Sequence, residues 1–203
     1  MSALEELLDQ LDAARERTLM ALETLPDEAL AQPGVVGRWA IADLLSILTA
    51  WDAEVVTALM QLHNGRTPER LLAALRNPDI YNAQRYQDAQ GRTLDSIFDD
   101  FQTSRLHLED GLSRLSERAL TNPRHYNALA GESLGRLVAR ATYLHEARYL
   151  PFLTAFADRW EDAEPPAVIP LDDISLGTGA LGLPGTNGDA NMTFPEDDDD
   201  DFG

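Results

Sequence analysis

The chain has no cysteine. Disulfides, thiolate metal ligands and a cysteine nucleophile are therefore excluded. It has no lysine either, since all 16 basic residues are arginine. Schiff-base chemistry through a lysine goes with it. No apolar run approaches the roughly 20 residues that cross a bilayer, so no membrane partner is expected. From Met1 to Asp9 acidic residues stand where a secretory leader carries basic ones, which predicts a cytoplasmic location. Positive charge is scarce overall and missing from the end. Residues 161–203 hold 12 of the 35 acidic residues and none of the arginines, leaving 23 acids against 16 arginines over residues 1–160. A surface this acidic argues against nucleic-acid backbones as partners.

What is present suffices for one folded domain, with 203 residues of which 44% are hydrophobic. The apolar residues recur at helical period. Residues 2–25 predict a first long helix with Leu4, Leu7, Leu8, Leu11, Thr18, Leu19, Leu22 and Leu25 on its stripe. Ser2 with Glu5 is a capping-box pattern, and Pro26 stops the helix. After a connector over residues 26–38, a second helix is expected from Ala40 to His63, closed by Asn64 and Gly65. Thr67 and Pro68 open a short helix to Leu75, and residues 79–90 predict a further turn or two ending at Gly91. A third long helix covers Thr93 to Leu115. The fourth starts near Ser133 and runs to about Trp160, with Leu134, Val138, Ala141, His145, Tyr149, Phe152, Phe156 and Trp160 inward. Pro151 lies inside it and predicts a kink near Ala147. No period-2 pattern of useful length occurs. Four long amphipathic segments predict an all-α four-helix bundle over residues 1–160.

Beyond Asp162 the helical stripe ends. Proline and glycine make up 11 of the last 43 residues, and Asp197 to Asp201 is an unbroken acidic run. This predicts a disordered acidic tail over residues 161–203. It reads either as a solvating extension or, with Phe194 and Phe202 flanking the acids, as an element that recruits a basic protein partner with an apolar floor.

Four histidines exist. His63 closes the second helix, His107 falls between the inward positions of the third, and His125 lies in a loop; all three read as ordinary polar positions. His145 differs because it falls on an inward stripe, where an imidazole must find partners. Four residues on, the same face carries Tyr149. A zinc-binding HExxH helix needs a second histidine there, so that reading does not fit.

The stretch from Pro33 to Asp52, with Gly37, Trp39, Asp43, Leu44, Leu45 and Trp51, resembles the signature of the DinB-like superfamily. Asn82 ahead of Gly91-Arg92-Thr93, and the run Thr142-Tyr143-Leu144-His145-Glu146, resemble the ClbS/DfsB branch of four-helix-bundle proteins. The resemblance covers residues 4–157. It implies an up-down-down-up bundle, often a homodimer. Many such proteins hold a divalent metal with three histidines, one on the second long helix and two on the fourth. Those positions here are Ile47, His145 and Tyr149. Isoleucine has no lone pair and a neutral phenol is a poor ligand, so no metal and no cofactor is expected. The serine that caps the second helix in the family is replaced by Ala40.

Two readings of His145 stay open. It is a satisfied core histidine, or it works with Tyr149 and Glu146 as acid and base in a metal-free pocket lined by Asp43, Ile47 and Trp51. The first implies a small-molecule-binding or non-catalytic bundle. The second implies a metal-independent hydrolase or transferase that detoxifies a reactive electrophile. An interaction protein acting through the acidic tail is the third expectation.

Overall fold

Helices build the chain over residues 1–162, which are the residues described by the computed structural model of the protein. The acidic tail expected over residues 161–203 falls outside them except for Glu161 and Asp162, which are helical as the end of the last helix. Among the described residues the sole β feature is an isolated bridge between Val36 and Trp39, and no helix is long and apolar enough to cross a membrane.

The first helix, α1 (Ala3–Leu22), begins as its capping box requires. Ser2 Oγ accepts from the Glu5 amide at 3.2 Å, and Glu5 Oε2 accepts from the Ser2 amide at 2.7 Å. It ends at Leu22, earlier than the apolar stripe suggests, because Leu25 turns back onto Leu22 before Pro26. A single turn, α2 (Asp27–Leu30), precedes the loop in which Gly37 takes φ 62° and closes the bridge to Trp39.

The second long helix is α3 (Ile41–His63). Ala40 at its N-cap has no side-chain acceptor; instead Asp43 Oδ2 reaches back to accept from the Ala40 amide at 2.9 Å. Two short helices follow, α4 (Glu69–Arg76) and α5 (Pro78–Asp88). The second is three full turns rather than the turn or two expected, with Pro78 at the first helical position, where its missing N–H costs nothing. Then come α6 (Leu94–Ser113), capped by Thr93, and a short α7 (Glu117–Thr121), capped by Ser116, that periodicity did not reveal.

The fourth long segment departs most from expectation. It is three helices, α8 (Leu134–Ala141), α9 (Tyr143–Glu146) and α10 (Leu150–Asp162), not one kinked rod. The first break is at Thr142, with φ −118° and ψ −105°, where Thr142 Oγ1 donates back to the Val138 carbonyl at 2.7 Å. The second spans residues 147–149, where the amides of Arg148 and Tyr149 take carbonyls three residues back. Pro151 could not donate to the carbonyl of Ala147, so the helix restarts at Leu150 with the proline in its first turn.

Helix α3 packs along α6 and against α5, while α1 packs against α9 and α10. The interior is two apolar clusters. One holds Leu11, Ile47, Trp51, Val55, Leu108 and Val138, and the other Leu22, Leu44, Leu48, Phe101, Leu153 and Phe156. On each long segment a charged residue falls between members of the two clusters: Arg15 on α1, Asp52 on α3, Arg105 on α6 and Glu146 on α9. All four are buried.

Candidate functional site

Ile47 and Trp51 stand one turn apart on α3, and both are buried in the first apolar cluster. The Trp51 ring lies against the His145 ring with centroids 4.7 Å apart. Its indole N–H donates to Asn82 Oδ1 of α5 at 2.8 Å. Asn82 Nδ2 donates to the Tyr149 hydroxyl at 3.1 Å, and that hydroxyl lies 3.4 Å from His145 Nε2. Using every donor assigns the phenol proton to His145 Nε2 and the imidazole proton to Nδ1. Trp51, Asn82 and His145 are buried, and half-buried Tyr149 is the member that reaches solvent.

Burial pushes the His145 imidazole down to about 4, with Arg148 adding to the effect and Glu146 opposing it. Burial raises the Tyr149 phenol. At neutral pH the pair is a neutral imidazole beside a neutral phenol.

The structure therefore brings Trp51, His145 and Tyr149 together, with Ile47 a turn below Trp51. Asp43 and Glu146 are engaged elsewhere. Asp43 caps α3 and also accepts from Gln90 Nε2 at 3.4 Å. Glu146 faces the charged layer, accepting from Arg15 Nε at 3.3 Å and from Arg105 Nη2 at 2.8 Å. Both carboxylate oxygens are thus taken up by guanidiniums.

That layer is the part of the site that sequence reasoning missed. Asp52 Oδ2 accepts from Arg15 Nη2 and from Arg105 Nε, each at 3.0 Å. Arg105 Nη1 donates to the Leu11 carbonyl at 2.7 Å, and Arg15 Nη1 to that of Phe101. The Arg15 guanidinium also lies 3.4 Å over the Phe101 ring centroid. Two cations and two anions make the layer neutral. Burial pulls the Arg105 guanidinium down, but Asp52 and Glu146 outweigh it and the net shift is upward. A signal was present in the sequence. The α6 stripe jumps from Phe101 to Leu108, and Arg105 sits on the skipped turn of the same face.

At the three positions where the resemblance places metal ligands, the residues do not make a donor set. Ile47 offers no lone pair and the Tyr149 hydroxyl is taken up by Asn82 and His145. Among the described residues no group of three or more His, Asp or Glu side chains is placed to hold a metal ion.

The all-helical bundle of the described residues is a DinB-like fold. Residues 10–148 match the DinB superfamily, well over half of the chain, and the chain belongs to that superfamily. No curated protein matches it. Among solved structures it is similar to an uncharacterised protein from Escherichia coli UTI89, at 18% identity and a TM-score of 0.63, covering 79% of this chain and 96% of that one. Likeness at that identity carries the fold alone.

Proposed function

We propose that the chain is a metal-free, small-molecule-binding DinB bundle of the ClbS/DfsB type, acting in the cytoplasm and without a cofactor. One observation supports this best: the family's metal positions hold an apolar side chain, an imidazole and a phenol already bonded to Asn82. A ligand reaching this node meets Tyr149 first, since that residue is its half-buried member. Elemental analysis of protein purified without chelator is expected to find well under one zinc or nickel per chain. Near-stoichiometric metal that disappears in His145→Ala would overturn the reading. The converse test rebuilds the donor set. Ile47→His combined with Tyr149→His is expected to raise the thermal midpoint when Zn²⁺ is added, because a ligand bound only by the folded state stabilises it.

A second reading is favoured by the contact between Tyr149 and His145 Nε2 at 3.4 Å. A protonated phenol held by Asn82 and His145 can give its proton to the leaving oxygen of a strained electrophile while water attacks the carbon and returns a proton to the phenolate, which suits metal-independent hydrolysis. Turnover of an epoxide panel, lost in both Tyr149→Phe and His145→Ala, would establish it. An inert wild-type protein would remove it. A second copy of the chain, and a basic protein partner for the acidic tail, remain proposals to be tested by sedimentation and by deletion beyond Asp189.

A further inference from the structure

We propose that Arg15 and Arg105 are positioning residues for His145 and act on it through Glu146. The inference rests on the reading of His145 and Tyr149 as the working part of the node.

Its basis is the isolation of α9. This helix is a single turn, separated from α8 by the backbone break at Thr142 and from α10 by the tightened stretch over residues 147–149. Helical continuity is lost on the α8 side and is only a short run of three-residue bonds on the α10 side, and one turn has little cohesion of its own. Its two buried side chains, His145 and Glu146, are consecutive and point to different places, and they add the specific contacts that set its rotation. His145 meets the Trp51 ring and the Tyr149 hydroxyl. Glu146 is clamped by Arg15 from α1 at 3.3 Å and by Arg105 from α6 at 2.8 Å. Both arginines are in turn tied to Asp52 on α3, the residue next to Trp51. The layer thus references α9 to the same stretch of α3 that supplies the His145 stacking partner. Successive residues on a helix differ by about 100° in direction. Any rotation of α9 that frees Glu146 from the clamp turns His145 away from Tyr149.

The test reads the imidazole itself. Nitrogen spectra of the full chain at pH 8 are expected to show His145 with a proton on Nδ1 and a bare Nε2, unlike the exposed His63, His107 and His125, which serve as internal references. In Glu146→Gln, and in Arg105→Gln, which lies outside the node, His145 is expected to move to the averaged pattern of those references while they stay unchanged. The double variant keeps the layer neutral and lets two amides bond each other, and it is expected to restore the wild-type pattern. Folded single variants with unchanged His145 resonances would overturn the proposal. If the single variants do not fold, the double variant decides, and loss of the pattern in a folded double variant overturns it. Metal content measured on the same samples separates this outcome from failure of the metal-free reading, since a metal on His145 would shift its nitrogens in every protein that keeps the imidazole.

Discussion

Arg105 occupies a position where a leucine would satisfy the helical stripe, and its burial is tolerable only because every neighbour answers it. Removing it leaves Asp52 and Glu146 each short of a partner in a dry interior. Arg105→Met is therefore expected to cost about 3–5 kcal/mol in urea unfolding, the range for a broken buried pair. The exposed pair between Arg114 and Asp110 is a control, and Arg114→Ala should change stability by less than about 1 kcal/mol. His145 gives a pH signature. Its folded value of about 4 lies below the ordinary 6.5. Above pH 6.5 the imidazole is neutral in folded and unfolded chains alike. As pH falls from 6.5 to 4 the unfolded chain takes up a proton that the folded chain refuses, so stability drops, by on the order of 3 kcal/mol. Below 4 both forms are protonated and this contribution stops changing. His145→Gln is expected to lose less stability than wild type between pH 7 and 4.5. Parallel pH profiles for the two proteins would contradict the buried, neutral imidazole.

At the scale of the helices, the fourth segment offers a sharp test. If Pro151 interrupted one continuous rod, Pro151→Ala would stabilise the protein by about 3 kcal/mol. Because Pro151 lies in the first turn of a restarted helix, the expected change is under about 1 kcal/mol in denaturant midpoints. The long helices α1, α3 and α6 were legible because leucine and phenylalanine recur on one face and because Ser2, Thr93 and Gly65 mark their ends. The breaks around α9 were not legible. Thr142 is helix-compatible by type, and the packing of α9 against α1 that accompanies its break is a tertiary contact with no local sequence signal. The same holds for the site. His145, Tyr149 and Trp51 could be read from spacing on their own helices, and Tyr149 was reached through His145 at i+4. Asn82 lies 31 positions from Trp51 and 67 from Tyr149, so no local pattern links them. Asp43 and Glu146 had the right chemistry for catalysis, but cap geometry and the two arginines claim their carboxylates.

For the whole bundle, the charged layer separates two apolar clusters that each have ordinary core composition. Buried ion networks of this kind are commonly no more stabilising than well-packed apolar side chains of similar volume. Replacing all four residues together, as Arg15→Met, Asp52→Leu, Arg105→Met and Glu146→Leu, is therefore expected to leave stability unchanged or raise it by about 1–4 kcal/mol. A loss larger than that of Arg105→Met alone would show that the ionic layer is itself a net source of stability. The layer also has a place in time. Arg15 and Glu146 are 131 positions apart along the chain, and neither guanidinium has its full set of partners until α1, α3, α6 and α9 have all arrived. Contacts that close the longest loops and need every element assembled are expected to form after the rate-limiting step. Arg105→Met should accordingly speed unfolding far more than it slows folding, visible as a shift of the unfolding arm in a chevron plot. The layer then acts as a latch on the finished bundle, governing how long the protein stays folded and leaving the pace of its folding to the apolar stripes.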